Sequence, residues 1–297
     1  MKLPTLRAIR QIVGTGLISL ALSVGLRADP DTSRLLSIGG PVTEIVYALG
    51  AEKNLIGTDT SSIYPEAATK LPQVGYQRML SAEGVLALHP SLILASAEAG
   101  PPPVIEQLKQ SGVSWVTIPA EDSIAGAKAK IQAVAHALHR DAQGEALVQH
   151  LDGEVAKAQR LLASEKSKPK VLFIYARGGG TVNVAGQGTA ADAMIALAGG
   201  VNAVSGYTGY KPITAEAVVA AAPDIILIPS RGLESINGID GLLSQPGLAE
   251  TPAGKSRKVV AMNDLLLLGF GPRLGEAVLQ LTKLLHGQGD ASTAAAP

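Results

Sequence analysis

The chain has 297 residues, 46% of them hydrophobic and 17% charged. That composition builds cores, and the length suits two lobes of about 100–150 residues each. Lys and Arg total 25, as do Asp and Glu; without the first 28 residues the balance is 21 against 25, or −4. A mildly acidic chain lacks the basic face that nucleic acid binding needs. The absence of cysteine excludes disulfides, thiolate metal sites, thiol catalysis and a lipid-modified N-terminal cysteine.

Residues 1–28 carry Lys2, Arg7, Arg10 and Arg27 and no acidic residue. Positions 11–26 are uncharged and largely apolar, and Ala28 offers a small residue for cleavage. This is the pattern of a secretory signal. Its uncharged stretch of 16 residues is shorter than the ~20 that span a bilayer. The remainder is expected to be exported to the periplasm and not embedded in a membrane.

Short apolar runs then alternate with helical patterns, which predicts an α/β fold with parallel sheets. The first set of strands is expected at 34–38, 55–58, 92–95 and 115–118. The second is expected at 171–175, 182–185, 225–228 and 259–262. Between the sets, Ile124, Ala127, Ile131, Val134 and Leu138 share one helical stripe. Leu147, Leu151, Val155, Ala158 and Leu162 continue in helical spacing. The expected organisation is an N-terminal lobe at 32–120, a helical linker at 121–166, a C-terminal lobe at 168–287 and a disordered tail at 288–297.

An internal repeat supports the two lobes. Leu80-Ser-Ala-Glu-Gly-Val-Leu-Ala-Leu-His-Pro-Ser-Leu-Ile-Leu94 aligns without a gap on Ile213-Thr-Ala-Glu-Ala-Val-Val-Ala-Ala-Ala-Pro-Asp-Ile-Ile-Leu227, with seven of 15 positions identical. Each copy reads as a helix capped by Ser81 or Thr214, a proline turn and a buried strand. The fold class is therefore two Rossmann-like lobes with parallel sheets, joined by one long α-helix, with a ligand cleft between them. A long helical connection predicts modest lobe movement.

Phosphate-cradling and nucleophile-elbow motifs are missing from the sequence. Gly178-Gly-Gly180 follows a strand without continuing into a dinucleotide fingerprint. His136, His139 and His150 lie on the linker, where a solvated helix face explains them better than zinc. No nucleophile, base and oxyanion hole assemble, so the chain reads as a binder and not an enzyme.

Three segments carry a resemblance. Ser61-Ser-Ile-Tyr64-Pro, Val74-Gly-Tyr-Gln-Arg78-Met-Leu-Ser-Ala-Glu83-Gly and Leu267-Leu-Gly-Phe-Gly-Pro-Arg273 resemble periplasmic haem-binding proteins of bacterial haem ABC importers. These belong to the helix-linked substrate-binding proteins, with the vitamin B12 and ferric-siderophore receptors. The resemblance spans roughly residues 33–287. It implies one haem b per chain as transported ligand, and a monomer that docks on an ABC permease dimer with its ATPase. A ferric siderophore or a corrinoid is the alternative ligand within the same fold.

The resemblance implies that Tyr64 ligates the haem iron. By residue type alone, Tyr64 is an ordinary loop tyrosine. As a ligand it makes chemical sense, because ferric iron is a hard acid and phenolate a hard oxygen donor. Arg231, in Pro229-Ser-Arg-Gly-Leu-Glu-Ser-Ile-Asn-Gly238, is the expected cation beside it, with Gly232 next in the same loop. Arg78 is expected at a propionate or as a loop brace. Tyr175, with Ile63, Met79, Tyr207 and Tyr210, is expected to line an apolar slot or simply to pack. A stacked second haem, which some relatives hold with a C-lobe histidine, is not expected here. Glu83 and Glu216 occupy the same place in the two repeats, and the resemblance makes them the anchors on the permease.

Overall fold

The computed structural model describes residues 31–178, 182–212 and 214–288. The expected leader, residues 179 and 180 of the triple glycine, Ile213 and the tail after Gln288 lie outside them. The first half alternates β1 (Leu35–Ile38), α1 (Gly40–Ala48), β2 (Leu55–Thr58), α2 (Ala82–Leu86), β3 (Leu92–Ser96), α3 (Pro102–Gln110), β4 (Ser114–Ile118) and α4 (Ile124–Ala137). Helix α5 (Asp141–Leu162) leads to β5 (Lys170–Tyr175), β6 (Asn183–Ala185), α6 (Ala190–Leu197), β7 (Val201–Asn202) and β8 (Tyr210–Pro212). Then come α7 (Ala215–Ala221), β9 (Ile225–Pro229), α8 (Ser230–Ser235), α9 (Gly238–Leu243) and α10 (Pro252–Lys255). The last elements are β10 (Val259–Met262), α11 (Asp264–Leu268) and α12 (Leu274–Leu285).

The first sheet has the order β2-β1-β3-β4, and all its neighbours are parallel. The second has the order β10-β9-β5-β6-β8, with β7 also on β5. Its β10, β9, β5 and β7 are parallel, whereas β6 and β8 are antiparallel additions. Loop length decides this difference from an all-parallel sheet. Seven residues separate β5 from β6, enough for a hairpin and too few for a crossover of a dozen or more.

The apolar runs are continuous because the parallel strands bury both faces. Leu35 and, on β3, Leu92 and Leu94 point into one large core; Leu36, Ile38, Ile93 and Ala95 point into a smaller one on the outer face. The second sheet repeats the arrangement. Val171, Phe173, Ile225 and Leu227 join the same large core, and Leu172, Ile174, Ile226 and Ile228 a second outer one. The large core is thus shared by both halves, and α4, α5 and α12 contribute to it.

The repeat is structural. Ser81 Oγ accepts from the Gly84 N–H at 3.0 Å, and Thr214 Oγ1 from the Ala217 N–H at 3.3 Å, each capping its helix. His89 (φ 48°) and Ala222 (φ 44°) both take the left-handed conformation just before the matching prolines.

The helical stretch between the sheets is two helices. The chain turns at 138–140, with His139 at φ 54°, and α5 alone joins the halves. Its 22 residues span about 33 Å. Val148, Leu151, Val155 and Ala158 form its buried stripe, against α4 and α12.

A buried polar knot fixes the loop after β2. The fully buried Asp59 accepts from the Gly39 N–H (2.8 Å), the Ser61 N–H (2.9 Å) and Ser62 Oγ (2.8 Å). Ser62 Oγ also pairs with Thr43 Oγ1 at 2.7 Å, which pairs with Ser37 Oγ at 2.6 Å. One carboxylate therefore ties β1, the entry to α1 and the loop together. Removing it strands two backbone donors in a dry site. Asp59→Ala is expected to cost about 3 kcal/mol. Urea unfolding followed by the fluorescence of the single tryptophan, Trp115, measures it; a loss below about 1 kcal/mol, the range of an ordinary net hydrogen bond, would show that the knot does not hold the loop.

Candidate functional site

The loop fixed by Asp59 carries Tyr64, which is half-buried. The loop presses on the entry to α1, where Gly40 donates its N–H to Ser61 Oγ at 3.0 Å. A Cβ on Gly40 would stand 2.5 Å from the Ser61 carbonyl oxygen and 2.9 Å from Leu265 of α11. Elements of both halves converge there.

The cation at Tyr64 is Arg273. Its guanidinium carbon lies 3.6 Å from the centre of the Tyr64 ring. Arg273 directly precedes α12, and its Nε donates to Glu44 Oε1 of α1 at 2.5 Å. Glu44 is only 4% exposed. Burial pushes its carboxyl up from the usual range, and the Arg273 hydrogen bond and charge pull it back. A cation held against a half-buried ring contributes between about 0.5 and 2 kcal/mol.

The segment before Arg273 is clamped to the first half as well. The buried Lys130 of α4 donates to the Gly269 and Phe270 carbonyls, at 3.1 and 3.0 Å. Burial lowers the Lys130 ammonium, while Asp122, Glu98 and Glu44 raise it. Phe270 is fully buried with φ 47°, and a Cβ at Gly271 would sit 3.4 Å from Glu44 Oε2.

The other candidates are placed as follows. Arg231 is exposed in the first turn of α8, and its N–H donates to Asp264 Oδ2 at 3.2 Å. Gly232 is buried, and a Cβ there would stand 3.1 Å from the Ala176 carbonyl oxygen, so its small size serves close packing of α8. Arg78 is already engaged: Nη1 donates to Tyr76 Oη at 2.8 Å, and Nη2 pairs with Glu98 at 2.6 Å. Tyr175 ends β5, with Arg177 5.2 Å from its ring centre and the Tyr210 ring 5.7 Å away. Burial raises its phenol above the ordinary value; Tyr76 of the first half and Asp264 add to this, against Arg177. Tyr207 is tied to β6 through its hydroxyl on the Val184 carbonyl, and Met79 is 77% exposed.

In the sequence, Arg273 closes one segment of the resemblance without a role of its own, and Glu44 and Lys130 carry none. A signal exists for Glu44, which stands among Val42, Thr43, Ile45 and Val46 on a helix that buries them all. An acid in such a run requires a partner. Among the described residues, no group of three or more His, Asp or Glu side chains is set to hold a metal ion. His136 faces Asp141, and His150 faces Glu276. Glu83 and Glu216 are both exposed, each the second residue of its helix. No helix among the described residues is long and apolar enough to cross a membrane.

Comparison with known proteins agrees with the fold. The periplasmic heme-binding protein RhuT from Roseiflexus sp. RS-1, in apo form, is 43% identical with a TM-score of 0.84, over 87% of this chain and 99% of that one. The periplasmic heme-binding protein BhuT, in complex with two hemes, is 46% identical with a TM-score of 0.81, over 86% and 98%. A vitamin B12-binding protein of Vibrio vulnificus is 28% identical over 268 residues, 88% of this chain and 93% of its own length. The profile of one family, the periplasmic binding proteins, matches residues 36–265. With that match across both sheets, the chain belongs to the periplasmic binding protein family.

Proposed function

We propose that this protein captures haem in the cleft between its lobes, with Tyr64 as axial ligand of a ferric iron, and delivers it to an ABC importer in the periplasm. The observation that carries this reading is the half-buried Tyr64 ring, seated on Arg273 where the two halves meet. A ferric porphyrin needs a hard oxygen donor, apolar walls and cations for its carboxylates. Tyr64 supplies the donor; Tyr175, Tyr210 and Met79 supply walls; Arg177 and Arg231 are the candidate cations for the carboxylates, and Arg78, held by Tyr76 and Glu98, braces the loop. The names of the similar structures support haem as the cargo. The function is capture and release, with no bond chemistry, by a monomer exported by way of a leader at 1–28.

The competing reading is a corrinoid, because relatives at lower identity are named for vitamin B12. One haem per chain is proposed, although BhuT is described with two. An absorbance titration of the protein with hemin decides both points. Wild type is expected to break at one equivalent, with a Soret band and the charge-transfer features of tyrosinate-bound ferric haem. Tyr64→Phe is expected to lose those features and bind at least tenfold more weakly. Identical spectra for the two proteins would remove the ligand assignment, a break at two equivalents would correct the stoichiometry, and tighter binding of cyanocobalamin than of hemin would favour the corrinoid.

Docking is assigned to Glu83 and Glu216 on matching helices. Exposed ion pairs are weak and salt-sensitive, which suits a reversible encounter. Glu83→Ala with Glu216→Ala is expected to leave the hemin spectrum intact. It should also lower, several-fold, the ATPase stimulation of the reconstituted importer. Full stimulation by the double variant would place the docking surface elsewhere.

A further inference from the structure

We propose that Arg273 is a positioning residue for Tyr64, anchored by the buried Glu44, and that the strength of iron ligation depends on this pair. This rests on Tyr64 as the haem ligand and adds the device that aims it.

The geometry is that of a seat. A tyrosine ring on a surface loop can swing about two side-chain torsions. Here a flat guanidinium lies 3.6 Å from the ring centre, and planar stacking restricts the ring's tilt in a way that an ammonium does not. The seat is itself fixed. Arg273 Nε is bonded to Glu44, whose side chain is 5% exposed, while that of Arg273 is 20% exposed. Lys130 holds the two carbonyls at 269 and 270 just upstream. Arg273 Nη2 is buried and has no protein hydrogen-bond partner, so Glu44 engages only part of the guanidinium.

The loop and the seat also come from opposite ends of the chain. Asp59 fixes the first from within the N-terminal half. Glu44 and Lys130 draw the second onto that half from the segment before α12. A porphyrin iron tolerates little error in the position of its ligand oxygen, so a ring held on two sides binds more tightly than a ring free to rotate. The buried carboxylate then has a function beyond stability. A lone Glu44–Arg273 pair adds little net free energy to a fold, because desolvation offsets its attraction.

The test is a double-mutant cycle in the intact protein, read by hemin affinity and by the tyrosinate charge-transfer band. Arg273→Gln is expected to weaken hemin several-fold, up to about 30-fold, and to reduce the band. Arg273→Lys should recover only part of the loss, because it restores charge without the flat face. In a Tyr64→Phe background, Arg273→Gln is expected to add nothing. Removing Arg273 alone strands Glu44, so the Glu44→Gln with Arg273→Gln variant, which leaves no buried charge, carries the test if the single variant unfolds. Thermal unfolding of each protein separates lost folding from lost aim. An equal loss in both backgrounds would show that Arg273 touches the haem directly, and would overturn the proposal. So would full affinity in Arg273→Gln while Tyr64→Phe loses it, and in that case Tyr64 would stand as ligand. No effect of Tyr64→Phe itself would remove both readings.

Discussion

The Arg273 guanidinium against the Tyr64 ring is the contact on which the proposed haem site depends. It requires a cation to be kept flat in a poorly hydrated place. That in turn requires Glu44 to be buried beside it, and Glu44 to sit on a helix packed into the core that both halves share. The loop bearing Tyr64 has its own anchor in Asp59, which accepts from Ser62 Oγ two residues before the tyrosine. Two charges and one carboxylate knot thus convert an irregular surface loop into a fixed element. Among the described residues the buried charged side chains are Glu44, Asp59 and Lys130, and Lys130 serves the same segment as Glu44.

The duplicated architecture explains why such a site arises at the boundary. Each half contributes a strand-helix unit with the same cap, the same left-handed turn before proline and the same division of strand faces between a common and a private core. The common core and α5 make the halves parts of one packed body. Movement between them must shear packed side chains, which favours small adjustments over wide closure. Pre-organisation of Tyr64 as the proposed iron ligand fits such a body, because binding then does not have to order the site.

Much of the fold was legible in the sequence. All eight expected strands occur, within about a residue or two at each end, because strands buried on both faces leave uninterrupted apolar runs. The strands β7 and β8 left no such trace. They are two and three residues long, and β8 is exposed throughout. The turn at 138–140 was hidden because it contains neither glycine nor proline; His139 takes the left-handed conformation instead. The site was legible in part. Tyr64 and Arg273 both stand in segments of the resemblance, but that they meet, and that Arg273 pairs with Glu44 229 positions away, is set by tertiary packing. Lys130, in an Ala-Lys-Ala-Lys run, reads as a solvated lysine, and only tertiary packing shows it bonded to carbonyls 139 and 140 positions away. Pattern reasoning sees one helix face at a time and cannot see such partners. Arg231, the cation expected beside Tyr64, lies exposed in the first turn of α8.

The most direct measurement is a crystal structure of the protein with hemin bound. The iron is expected to be bonded to Tyr64 Oη inside the cleft, with the Arg273 guanidinium still against the ring and still paired with Glu44. A porphyrin bound through another side chain, or lying outside the cleft with Tyr64 turned away, would contradict it.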